Sequence, residues 1–146
     1  MTEPAPRGVD AAGHAPSADG LPRRGMPAPA SERPPLDLAR RIVELAEDKK
    51  AAEIVLLDLT PLTTIADYFV ICSGGSERQL DAIADGIVSS LRDEKTRPIG
   101  REGTPASHWV LLDFGSVVVH VFTPPEREYY GLEKHWSEAK TILSVQ

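Results

Sequence analysis

The sequence predicts one α/β domain, a mixed sheet of about five strands flanked by helices, carried behind a tail that does not join it. Three observations predict this. Composition breaks near residue 35: eight of the thirteen prolines fall in the first 35 residues, and four of the eleven glycines in the first 34. From Leu36 onward, helix-spaced apolar stripes and short β-branched runs follow one another in the order α-β-β-α-β-β-β-α. One of those runs, residues 117–122, is apolar on both faces, so both sides of its sheet must be covered.

The elements follow in order. In residues 1–34 the apolar content is mostly alanine, too little buried surface to offset the entropy of ordering, so a disordered tail is expected there and a domain over 35–146. Leu38, Ile42, Leu45 and Ala46 recur at helical spacing, with Arg40, Arg41, Glu44, Glu47 and Asp48 mostly on other faces, which predicts a helix over 36–50. Residues 53–59 read as a buried strand ending near Thr60-Pro61, and residues 67–72 as a second strand. Ser73-Gly74-Gly75-Ser76 stops it, and Ser76 with Gln79 fits a capping box. Leu80, Ile83, Ala84, Ile87, Val88 and Leu91 then mark a helix over 76–94. Residues 97–102 contain Pro98 and read as a short edge strand. Residues 109–112 and 117–122 form a hairpin. Its turn uses Gly115 for a positive φ and Asp113 for a forward bond to the backbone. Pro124-Pro125 ends that strand, residues 126–130 form a turn of helix, and 132–145 read as a final helical region with Trp136, Ala139 and Ile142 or Leu143 inward.

Charge and cysteine content exclude several classes of function. The net charge is −6. Residues 1–34 hold four acids and four arginines, so the domain carries the whole surplus. A phosphate-backbone binder needs a surplus of lysine and arginine, and this domain has the reverse. A basic protein partner fits better, beside plain solubility. The single cysteine, Cys72, excludes an internal disulfide and a multi-cysteine metal site; within Tyr68-Phe69-Val70-Ile71-Cys72 it reads as a small buried hydrophobe. No apolar run approaches the ~20 residues of a membrane helix, and the N-terminus lacks the apolar core of a signal peptide, so a cytoplasmic location is expected.

An enzyme would most naturally use Gly74-Gly75-Ser76, which follows a strand and opens a helix, as a nucleotidyltransferase fold holds a triphosphate. That chemistry also needs two or three carboxylates converging on magnesium. Asp81 and Asp85 lie four residues apart on a helix, off its apolar stripe, and the next strand offers only Glu102. The metal-binding half is missing, and a capping turn is the better reading. His108, His120 and His135 give no i, i+4 pair for a helical metal site, and His120, mid-strand, fits a satisfied core histidine. No catalytic residue, metal or cofactor is expected.

The hairpin carries a second kind of candidate. Period two puts Trp109, Leu111 and Asp113 on one face and Val110 and Leu112 on the other. If Val110 and Leu112 meet the core, Trp109 lies open beside Tyr129, Tyr130, Glu126, Glu128 and Glu133. An aromatic centre rimmed by acids suits a basic protein partner. The alternative is that Trp109 and the tyrosines are core aromatics with wet polar tips.

Several motifs together resemble the ribosomal silencing factor (Iojap) family, in order and nearly without gaps over residues 36–143. They are Asp67-Tyr68-Phe69-Val70-Ile71-Cys72-Ser73-Gly74-Gly75-Ser76, Arg78-Gln79, Ala82-Ile83-Ala84-Asp85, Glu102-Gly103, Trp109-Val110-Leu111-Leu112-Asp113-Phe114-Gly115, Val118-Val119-His120-Val121-Phe122, Arg127-Glu128-Tyr129-Tyr130 and Leu132-Glu133-Lys134 with Trp136. The resemblance implies a nucleotidyltransferase-like fold without the catalytic acids. It implies a non-enzymatic repressor that binds the large ribosomal subunit through protein L-fourteen, blocks joining of the small subunit and lowers translation under nutrient limitation or in stationary phase. Carried over by motif, Trp109 and Tyr130 are the leading contacts, with Asp113, Phe114, His120 and Glu133 behind them. Two departures stand out: Ser73-Gly74-Gly75 replaces a common threonine-glycine pair, and His135 replaces a usually apolar residue. The rival readings are a nucleotide-binding enzyme at Gly74-Gly75-Ser76 and a homodimeric adaptor pairing through the aromatic patch.

Overall fold

The computed structural model describes residues 16–22 and 33–146. Its elements are α1 (Pro35–Asp48), β1 (Ala52–Asp58), β2 (Tyr68–Ser73), α2 (Glu77–Asp93), β3 (Gly100–Thr104), a single 3-10 turn (Pro105–Ser107), β4 (Trp109–Asp113), β5 (Val117–Phe122), α3 (Pro124–Tyr130), α4 (Leu132–His135) and β6 (Lys140–Val145). The strands form one mixed sheet in the order β3-β4-β5-β2-β1-β6. β2 and β5 run parallel, and the other described neighbours run antiparallel.

The sheet has six strands rather than about five, because the C-terminal residues do not continue as a helix. α4 lasts one turn, and residues 140–145 pair with β1. The reason is backbone satisfaction. Without β6, β1 would be an edge strand with unpaired N–H and C=O groups beside a fully buried Leu56. Thr141, Ile142 and Val145 are β-branched and suit the pairing. The expected hairpin is present. Its turn closes through Phe114 N–H donating to the Val117 carbonyl (2.9 Å), Gly115 N–H donating to Asp113 Oδ1 (2.8 Å) and Gly115 at φ 88°.

The two faces of the sheet are covered differently. The first face buries Ile54, Leu56, Val70, Cys72, Val110, Leu112, Val117, Val119 and Val121 beneath the apolar stripes of α1 and α2. The second face carries Leu57, Phe69, Ile71, Trp109, Leu111, Val118, His120 and Phe122. Among the described residues no long helix lies on it. Its cover is assembled from Tyr130 on α3, Leu132 on α4, Trp136, Ala139 and Leu21. Leu21 belongs to residues 16–22, which are placed against the domain where the sequence reading has a disordered tail; the rest of that expectation, residues 1–15 and 23–32, lies outside the described residues.

The helix ends explain why α1 and α2 stop where they do. After α1, Ala51 N–H reaches the Ala46 carbonyl and Lys50 N–H the Glu47 carbonyl. After α2, Thr96 N–H reaches Leu91 and Lys95 N–H reaches Arg92. Both are Schellman closures, and both place a lysine, Lys50 (φ 64°) or Lys95 (φ 65°), where glycine is favoured. The left-handed conformation costs a side-chain-bearing residue about 1–2 kcal/mol. Glycine's extra freedom in the unfolded chain returns roughly 0.5–1 kcal/mol of that. Lys95→Gly is therefore expected to stabilise the chain by about 0.5 kcal/mol, read as a higher urea midpoint at unchanged slope.

Candidate functional site

The second face is an aromatic cluster built by cross-strand register. Trp109 on β4 lies opposite Phe122 on β5, and Leu111 opposite His120, so Trp109 and His120 are diagonal neighbours on one face. Trp109 stacks on Phe122 with centroids 4.8 Å apart, and Tyr130 lies 4.3 Å above Trp109. Phe69 meets His120 edge-on at 4.5 Å and Trp136 at 6.0 Å. Tyr129 stands edge-on to Tyr130 at 5.0 Å and is 46% exposed.

Trp109 is fully buried, which removes the expectation that it lies open on the hairpin. The sequence reading allowed one face of β4 to meet the core and one to meet a partner. In the fold both faces meet apolar cover, because Tyr130 and Phe122 close over the indole. Phe114, Asp113 and His120 are buried as well. Asp113 spends a carboxylate oxygen on the hairpin turn, and Phe114 packs with the helix-covered core. Of the residues carried over by resemblance, only Tyr130, half-buried, and Glu133, exposed, reach the surface.

A directional bond fixes the centre of the cluster. Trp109 Nε1–H donates to His120 Nδ1 at 3.1 Å. Nδ1 is therefore the acceptor, and the neutral ring carries its proton on Nε2. Burial disfavours the charged imidazolium and pushes the His120 pKa down to about 3; the backbone of Gly20 opposes this only partly. Nε2 makes no full hydrogen bond to a described residue. It faces Gly20, where an added Cβ would sit 3.2 Å from Nε2 and 2.9 Å from Leu132 Cδ1.

Residues 16–22 occupy the open end of this face. Gly20 is buried with φ 79°, and its N–H donates to the Ser17 carbonyl at 2.8 Å. Leu21 N–H donates to Asp19 Oδ1 at 3.0 Å. Trp136 Nε1–H donates to the Asp19 carbonyl at 2.6 Å. Pro16 and Pro22 are buried at either end. Sequence reasoning missed this contact because a Pro/Gly/Ala-rich composition describes the average of a segment. It does not register a seven-residue turn with one well-placed leucine.

Beside the face, Arg127 acts as a tie. It holds both oxygens of Glu133 (2.7 and 3.1 Å) and donates to the Glu53 carbonyl (2.7 Å) and Ser73 Oγ (2.8 Å). Ser73, one of the two departures from the resemblance pattern, thus has a structural use. His135, the other, is exposed and stands edge-on to Trp136 at 5.2 Å.

The glycine turn is built as a cap. Ser76 Oγ accepts from Gln79 N–H (3.1 Å), while Gln79 Oε1 accepts from Gly75 N–H (2.7 Å) rather than from Ser76. Gly74 N–H donates to the Phe122 carbonyl (2.8 Å). Two backbone donors that a phosphate would need are therefore in use. Asp81 and Asp85 are exposed and face Arg101, at 4.0 and 3.1 Å. Among the described residues no group of three or more His, Cys, Asp or Glu is placed to hold a metal ion, and no helix is long and apolar enough to cross a membrane. Burial pushes the Cys72 thiol up to about 12, as befits an inert core residue.

Fold and site together define a small α/β domain distinguished by an aromatic sheet face. The family described as "Ribosomal silencing factor during starvation" matches residues 31–146, and the chain belongs to that family of ribosome-associated translation silencers. It is 42% identical over 106 residues to the ribosomal silencing factor RsfS of Halalkalibacterium halodurans, covering 73% of this chain and 91% of that one. It is 37% identical over 99 residues to mouse mitochondrial assembly of ribosomal large subunit protein 1, covering 66% of this chain and 43% of that one. A crystal structure of a Chromobacterium violaceum protein superposes with a TM-score of 0.70 at 33% identity, covering 72% of this chain and 88% of that one.

Two outcomes follow from the buried pair. Trp109→Ala removes a fully enclosed indole and is expected to cost about 3–5 kcal/mol in urea unfolding. The second concerns pH. The unfolded chain binds a proton at histidine near pH 6.5, which folded His120 binds only near pH 3. Stability is fully present above 6.5 and falls with pH through that window, by about 1.4 kcal/mol per unit. Glu94, held down to about 2 by Arg41 and Arg33, adds its own loss only below its ordinary 4.5. Between pH 6.5 and 5 the slope is therefore expected to shrink by about one proton in His120→Gln, measured by denaturant titration at each pH.

Proposed function

We propose that this chain is a non-enzymatic silencer of translation. It binds the large ribosomal subunit through protein L-fourteen and blocks joining of the small subunit under nutrient limitation or in stationary phase, in the cytoplasm. The observation that carries this reading is the second sheet face: a rigid aromatic base capped by Tyr129 and Tyr130, beside the exposed acids Glu128 and Glu133. Such a centre with an acidic rim suits a basic protein surface. The domain's surplus of acids steers it toward one. Family membership points to the ribosome, and the mouse relative's name to its large subunit. Steric exclusion needs no chemistry, only occupancy of a surface.

The roles carried over by resemblance are revised to match burial. Tyr130 is the direct contact and Glu133 its neighbour. Trp109, His120, Phe114 and Asp113 hold the platform from beneath. Glu133 also anchors Arg127, so its removal disturbs fold and surface together. Tyr130→Ala is the cleaner probe. It is expected to weaken co-sedimentation with purified large subunits roughly tenfold while circular dichroism stays native. Wild-type protein should also inhibit subunit joining. Failure of the wild type to co-sediment sinks the proposal. Sedimentation at several concentrations separates it from self-pairing through the same patch.

A further inference from the structure

We propose that residues 16–22 are an intramolecular ligand of the aromatic face and compete there with the ribosomal partner. The proposal rests on the reading of that face given above, and its two halves are tested by different measurements.

The contact is built in detail. The segment folds as a turn, with Gly20 N–H on the Ser17 carbonyl and Asp19 Oδ1 accepting from Leu21 N–H. The turn presents the Asp19 carbonyl to the Trp136 indole and lays the Gly20 backbone on His120 and Leu132. Leu21 joins the apolar cluster of the second face. Position 20 admits only glycine. Its φ of 79° disfavours any side chain, and a Cβ would press on Leu132 and the imidazole. The Trp109–His120 bond leaves Nε2–H as a donor aimed at this spot.

The cover is also weak enough to be displaced. It is seven residues long, with one leucine and, among the described residues, a side-chain hydrogen bond from Trp136 to the Asp19 carbonyl. Because the segment belongs to the same chain, its docking is intramolecular, so a contact of low intrinsic affinity still fills the site. Helices of 14 and 17 residues cover the first face; this end of the second face is closed by seven residues whose departure leaves the sheet and both helices in place. Once it leaves, His120, Leu132 and Trp136 are uncovered beside Tyr130, and the apolar base available to a partner grows. The segment therefore lowers apparent affinity by the fraction of time the face is open.

The test uses the full chain with Gly20→Val, which alters only the segment. Amide exchange of Gly20 and Leu21 reports docking directly. Protection in the wild type and its loss in the variant are expected. Large-subunit co-sedimentation then reports competition, with roughly tenfold tighter binding expected for the variant, about 1.4 kcal/mol. Unprotected wild-type amides overturn the intramolecular contact. Lost protection with unchanged binding overturns competition. Weaker binding by the variant overturns it too and makes the segment part of the interface. If neither chain co-sediments, the proposed function fails and competition with it, while exchange still decides whether the segment docks.

Discussion

The whole architecture answers one constraint: β5 is buried on both faces, so both sides of the sheet must be sealed by a chain whose described residues provide two long amphipathic helices. α1 and α2 both go to the same side. Their stripes, Leu38 to Ala46 and Leu80 to Leu91, are wide and continuous and need no polar group to define their packing. The other side is sealed by fragments. α3 contributes Tyr130, α4 contributes Leu132, the following turn contributes Trp136 and Ala139, and residues 16–22 contribute Leu21. A face closed by fragments is held by directional contacts, since no single piece buries enough area to be fixed by apolar burial alone.

Those directional contacts are where polar chemistry enters the core. The Trp109 indole N–H finds His120 Nδ1 across two strands, and the Trp136 indole finds the Asp19 carbonyl. Arg127 gathers Glu133, the Glu53 carbonyl and Ser73, fixing α3 and α4 against the ends of β1 and β2. Each buried donor would cost about 1–3 kcal/mol if left unmade, so these bonds select one arrangement of the fragments over others of equal apolar content. Specific geometry on the second face and generic burial on the first are two answers to the same requirement.

This division also explains what was legible in the sequence. The first-face elements announce themselves: the α2 stripe recurs over three turns, Ser76 caps it, and Asp113 with Gly115 closes the hairpin as their chemistry demands. The fragments do not. Residues 140–145 are too short for a helical or strand period to be decisive, and only the unpaired edge of β1 determines their state. The burial of Trp109 depends on Tyr130, twenty-one positions away, folding back over it, and no local pattern encodes that. The His120 tautomer depends on the diagonal register of β4 and β5, which exists only once the hairpin pairs. The tail looked featureless because its average composition hides the turn around Gly20.

The same division bears on the proposal that the domain acts by occupancy. A phosphate-binding turn needs free backbone donors at a helix start, and here Gly74 and Gly75 spend theirs on Phe122 and Gln79. The Phe122 carbonyl that takes the Gly74 donor lies at the end of β5, the strand that also carries His120. Building the aromatic face and closing the glycine turn thus use the same strand end, the first through its side chains and the second through its backbone carbonyl. The acids following the turn are likewise committed, Asp85 to Arg101 at 3.1 Å, on the exposed side of α2. What stays at the surface is Tyr129, with half-buried Tyr130 packed on Trp109. Side chains already packed in the free protein lose less entropy on binding, which favours the docking proposed for this face.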